Sequence, residues 1–133
     1  MGRFYFGDIE GKFWFGVQDS FDADNFGVEG EIEVDEEGEE SNLVSYNFSE
    51  ENIPDIEEGI QLCVENLGDH LEPLNKFFEE CEGYTYNEIK ESLDIESVDK
   101  VKELLGFYSR MELGKKILEC VKETGSCFFE GEL

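Results

Sequence analysis

Basic side chains are what this sequence most lacks. Of its 133 residues only 10 are Lys or Arg, against 35 Asp or Glu, for a formal net charge of −25. Between Lys12 and Lys76 there is no lysine or arginine at all. Such a chain repels phosphate backbones and anionic lipid within about a Debye length, and attracts basic protein surfaces and cations. Direct nucleic-acid binding and a membrane partner are therefore disfavoured. Histidine is single, His70, in a spot where a surface or capping role is the ordinary one. GxSxG, a Walker loop, GxGxxG and HExxH are all missing, so no motif points to catalysis or a cofactor, and the chain reads as non-enzymatic. No apolar run approaches the roughly 18 residues of a membrane span, and residues 1–12 lack the apolar stretch of a signal peptide, so a cytoplasmic setting is expected. The four cysteines (Cys63, Cys81, Cys120, Cys127) have no CxxC spacing, and the expectation is reduced, buried thiols.

What the chain does have is aromatic bulk: twelve Phe, five Tyr and one Trp. Rings in that number supply a core, and they separate this chain from acidic disordered sequences. The length fits one domain that needs no disulfide or structural metal. Charge is unevenly placed. Residues 1–83 carry 24 acids against Arg3, Lys12 and Lys76, whereas residues 84–124 carry nine acids against seven bases. That asymmetry predicts an acidic side and a nearly neutral helical side.

Period-2 patterning dominates residues 1–50. Residues 3–7 and 12–18 read as aromatic strands, with Phe4 and Phe6 on one parity and Tyr5 on the other. Two-sided aromatic strands call for cover on both faces or leave an aromatic patch for a partner, and burial under helices is the expected fate of most of these rings. Residues 28–40, VEGEIEVDEEGEE, alternate strictly: Val28, Ile32 and Val34 toward a core, Glu29, Glu31, Glu33 and Asp35 toward water. Residues 41–48 make a fourth strand, giving an antiparallel meander. After Pro54 the period turns helical. About four helices are predicted: from Pro54 to Leu67, after Gly68, from Tyr86 behind the capping-box residues Thr85 and Glu88, and from about Val98 to Glu123 with Gly125 as its stop. Gly106 and Gly114 weaken the last helix or admit another element closely. Residues 126–133 return to strand. The class is α+β in one domain over 1–133: a β-meander at 1–50, a helical layer at 54–124 and a closing strand at 126–133.

Four constellations carry possible chemistry. The acidic row Glu29, Glu31, Glu33, Asp35, continued by Glu36, Glu37, Glu39 and Glu40, is a candidate surface for a basic partner. Its carboxylates recur every two strand rises of about 3.4 Å, and DNA presents a phosphate per strand about every 3.4 Å, so nucleic-acid mimicry is one form of that reading. Asp22, Asp24, Gly27 and Glu33 occupy positions 1, 3, 6 and 12 of a calcium-loop template, but position 5 is Phe26 and the flanks read as strands. A weak cation site among Asp19, Asp22 and Asp24 is what survives of it, and a carboxylate-metal hydrolase is the third functional reading. The second is a helix-turn-helix-like regulatory module over residues 86–110, whose Ile89, Leu93, Ile95, Val101 and Leu105 follow that pattern with the turn spacing one residue off. Its Lys100, Lys102 and Arg110 are countered by Asp99 and Glu103.

The segments GDIEGKFWFGVQ (residues 7–18) and DADNFG (22–27), with ELGKKIL (112–118) and VKETGSC (121–127), resemble small acidic proteins of marine viral and environmental sequences. The group has no established activity, so no catalytic residue carries across. The resemblance implies a viral accessory protein. The leading reading is a non-enzymatic acidic module that binds a basic protein surface.

Overall fold

The computed structural model describes residues 4–14, 17, 18, 20–34, 36–38, 40–81 and 83–132, with backbone alone for residues 33 and 40–42. The class is α+β, with one five-stranded antiparallel sheet and helices laid on its inner face. The strands are β1 (Phe4–Gly7), β2 (Gly11–Lys12), β3 (Glu31–Val34), β4 (Glu40–Ser49) and β5 (Ser126–Glu132). The helices are α1 (Ile53–Leu67), α2 (Leu71–Glu80), α3 (Tyr86–Ser92) and α4 (Val98–Thr124). Short 3-10 turns span Asp22–Phe26, Glu50–Asn52 and Gly68–His70. Among the described residues no helix is long and apolar enough to cross a membrane.

The strand order is β2-β1-β5-β4-β3, which corrects the expected meander. The last strand returns to the sheet, but it enters the middle, between two hairpins whose strands do not pair with each other. Tyr5 pairs with Gly131 on one side of β5, and Tyr46 pairs with Phe129 on the other. Every inward residue of β5 is buried: Cys127, Phe129 and Gly131. A strand with that face belongs where both its edges are paired, and the short, charged β2 and β3 are left for the edges.

Two further strand expectations are corrected. The second aromatic strand ends after Lys12: Phe13 turns into the core, and Trp14 reaches the helices, with its ring 5.3 Å from that of Phe78. Trp14 O accepts from the N–H groups of Val17 and Gln18, so the backbone coils there rather than pairing; Phe15 and Gly16 lie outside the described residues. The acidic strand does alternate, but its apolar parity is not covered. Ile32 is 38% and Val34 58% exposed, and β3 is an edge strand with a neighbour on one side alone. Its register also shifts between Ile32 and Val34.

Several of the expected helix-end signals are in place, and Ser97 adds a cap. Pro54 stands in the first turn of α1 and Pro73 in that of α2. Thr85 Oγ1 accepts from Glu88 N at 3.1 Å, Ser97 Oγ accepts from Lys100 N at 3.2 Å, and Gly125 closes α4 in the left-handed region at φ 87°. Helix α4 has little net amphipathicity, for a reason visible in the two cores. Val101, Leu104, Leu105, Tyr108 and Met111 pack among α1, α2 and α3, whereas Leu113, Ile117 and Val121 pack on the sheet. At 3.6 residues per turn these sets point roughly 180° apart. One helix therefore serves both halves of the molecule.

The α1–α4 crossing is tight. Phe26, fully buried, wedges its ring between Gly59 of α1 and Gly114 of α4; a Cβ at either glycine would lie 2.6 Å from it. The close approach foreseen at Gly114 is made by a loop ring.

Candidate interaction surface

The acids of the 3-10 turn Asp22–Phe26 are built into the fold. Asp22, 5% exposed, accepts from Arg110 Nε at 2.8 Å on one oxygen and from Gln18 Nε2 at 2.9 Å on the other. Gln18 in turn accepts from Trp14 N at 3.0 Å through Oε1. Asp24 Oδ1 accepts from the Tyr46 hydroxyl at 2.6 Å and from Gly30 N at 2.9 Å. The first carboxylate ties the loop to α4, and the second ties it to the sheet. Asp19, the third cation candidate, lies outside the described residues. Among the described residues no group of three or more His, Cys, Asp or Glu is placed to hold a metal ion.

Four of the eight residues of the acidic row are placed at the surface. Glu29, Glu31, Glu36 and Glu37 are exposed; Glu33 and Glu40 have backbone placement only; Asp35 and Glu39 fall outside the described residues. Glu31 sits opposite Ser45 and thus on the sheet's outer face. The row is not one straight strand, since β3 holds four residues and a turn follows. Exposed carboxylates also project from α1 (Glu57, Glu58, Glu65) and α2 (Glu72, Glu79, Glu80). The acidic part of the sequence therefore supplies both the outer sheet face and helices on the opposite side.

The outer face of the sheet holds the exposed rings. Phe4 is 51%, Phe6 42% and Phe128 42% exposed. Phe4 and Phe6 alternate with buried Tyr5 on β1, and Phe128 sits on the same face of central β5, opposite Asn47. Lys12 Nζ lies 5.9 Å from the centre of the Phe4 ring. A shallow cleft of about 480 Å³ runs beside Phe4, Phe6, Glu10 and Lys12. The aromatic patch is thus the alternative that the sequence left open for its two-sided strands. Phe128 had no sequence signal placing it there, because its membership depends on β5 lying next to β1.

No protein-family model, curated protein or solved structure matches this chain. Its surface has to be interpreted from its own chemistry.

Of the cations in the helix-turn-helix segment, Lys100 pairs with Glu103 at 3.4 Å, Lys102 lies 5.3 Å over the Tyr86 ring, and Arg110 is held by Asp22. His70 is half-buried in the 3-10 turn before α2. All four cysteines are free thiols. Burial pushes Cys63 up to about 11, against the opposing pull of Arg110, and also raises Cys127. Burial, with Glu112 and Glu79 nearby, pushes the Tyr108 phenol up to about 12. At neutral pH these three groups stay protonated, which is the reverse of nucleophile activation.

Proposed function

We propose that the chain is a non-enzymatic acidic interaction module that binds a basic protein surface. The observation that carries this reading is the uncovered outer sheet face, where exposed Phe4, Phe6 and Phe128 share a surface with carboxylates on a chain of net charge −25. Exposed rings mark a contact surface, and the surrounding field selects cations. Like-charge repulsion disfavours nucleic acid and anionic lipid as occupants. Mimicry of a nucleic acid is the weaker form, because it needs carboxylates in one long row. A role as a viral accessory protein is consistent with the resemblance noted above.

Calorimetric titration of the full chain with purified small cationic proteins, at about 50 mM and 500 mM salt, tests the reading. A saturable, salt-weakened complex with defined stoichiometry is expected, alongside no binding to an acidic control protein. Failure to saturate with any cationic protein removes it. Thermal shifts with Ca²⁺, Mg²⁺ or Mn²⁺ address the metal-hydrolase reading, since a ligand that binds the folded chain raises its melting temperature with concentration.

A further inference from the structure

The open sheet face offers more than diffuse charge. Phe6 lies directly across from Glu130 in the β1–β5 register, and Phe4 N–H donates to the Glu132 carboxylate at 2.8 Å. Cross-strand neighbours hold their Cβ atoms about 5 Å apart. Phe6 and Glu130 are thus cross-strand neighbours, the Glu132 carboxylate reaches the backbone of Phe4, and Phe128 extends the apolar surface on β5. A ring face next to a carboxylate complements a planar guanidinium, which can stack on the ring while its N–H fork donates to the oxygens. An ammonium has neither the plane nor the fork. The chain already sets one cation, Lys12, over Phe4. A second copy of this chain is a poor occupant, since each carries −25 and the two would repel.

We infer that the outer sheet face, centred on Phe4, Phe6 and Phe128 with Glu130 and Glu132, docks an arginine-bearing segment of a cationic protein and selects arginine over lysine. The inference rests on the basic-partner reading and names the side chain that such a partner presents.

The test titrates the full chain with two synthetic peptides of equal length and charge, one alternating Arg with Gly and the other Lys with Gly. At about 0.15 M salt the arginine peptide binds about tenfold more tightly, as one or two stacked guanidinium contacts imply. The Phe6→Ala, Phe128→Ala double variant brings the two peptides to one affinity and keeps the residual, charge-driven binding. Both rings are exposed, so melting and circular dichroism should match the parent; if the alanine pair does not fold, leucine at both positions keeps the bulk, removes the rings and carries the same expectation. Backbone amide shifts on adding the arginine peptide concentrate in β1 and β5. Equal affinity of the parent for both peptides overturns the inference and leaves the basic-partner reading standing. An arginine preference that survives loss of the rings, shifts confined to the helices, or self-association of the chain through Phe6 and Phe128 overturns it as well. Absence of binding to any cationic peptide removes both.

Discussion

Replacing Gly114 by alanine adds one methyl where the structure has no room. The new Cβ would lie 2.6 Å from two carbons of the Phe26 ring and 2.8 Å from Ile60 Cγ1. Carbon atoms rest about 3.5–4.0 Å apart, so the ring must retreat by about 1 Å. Gly59 blocks its retreat on the other side, where the space is equally filled by Phe26 and by the backbone carbonyl of Asn25. Overfilling a packed core by a methyl costs about 1–3 kcal/mol, and three atoms crowded at once put this site near the upper end. Alanine returns about 1 kcal/mol of helix propensity, leaving a net loss of about 2 kcal/mol. At roughly 2.1 cal/mol/K of unfolding entropy per residue, that loss lowers the melting temperature of this chain by about 7 °C. Gly106→Ala in the same helix is the control, because its nearest neighbour would be Val17 O at an ordinary 3.5 Å. It should leave stability unchanged or raise it by up to about 1 kcal/mol. Urea unfolding and calorimetry read both variants. Adding Phe26→Leu to Gly114→Ala should recover part of the loss, as coupled neighbours do. If Gly114→Ala matches Gly106→Ala, the wedge described at the α1–α4 crossing is wrong.

Three further outcomes follow from the same structure. Arg110→Ala leaves the Asp22 carboxylate, its side chain 6% exposed, without its cationic partner and should cost about 2–3 kcal/mol in urea unfolding, with partial recovery on adding Asp22→Asn; a neutral Arg110→Ala would refute the pairing. The raised Tyr108 phenol favours the neutral form in the folded chain, so its contribution is intact below the ordinary phenol value of 10.0 and is lost as pH climbs toward about 12. Tyr108→Phe should flatten the alkaline fall in stability over that window and cost about 1 kcal/mol near neutrality for the lost hydrogen bond to Asn75; an unchanged alkaline slope would contradict the assignment. Salt should stabilise the fold, because self-repulsion at −25 is screened between about 20 and 500 mM NaCl, and a melting temperature that stays flat or drops would show that the carboxylates do not strain the native state.

Local chemistry was legible in the residues themselves. Thr85, Pro54, Gly68 and Gly125 mark helix ends through hydrogen bonds and backbone angles that depend on a few neighbours in sequence, and the helices begin and end where those residues stand. The α+β class followed from the change of period after Pro54. Strand order did not follow, because antiparallel pairing between β5 and its neighbours joins residues more than 70 positions apart, and alternation says which face a residue takes without saying which strand lies beside it. For the same reason Ile32 and Val34 read as core residues and are exposed: their parity is right, and only the edge position of β3 leaves them uncovered. The acids show the same division. Sequence established their number and the cation-free stretch between Lys12 and Lys76. Only tertiary structure turned Asp22 and Asp24 into internal anchors and brought Glu130 and Glu132 beside Phe6 and Phe4 on an open sheet, because charge is a sum over residues and a surface is a matter of which strands meet.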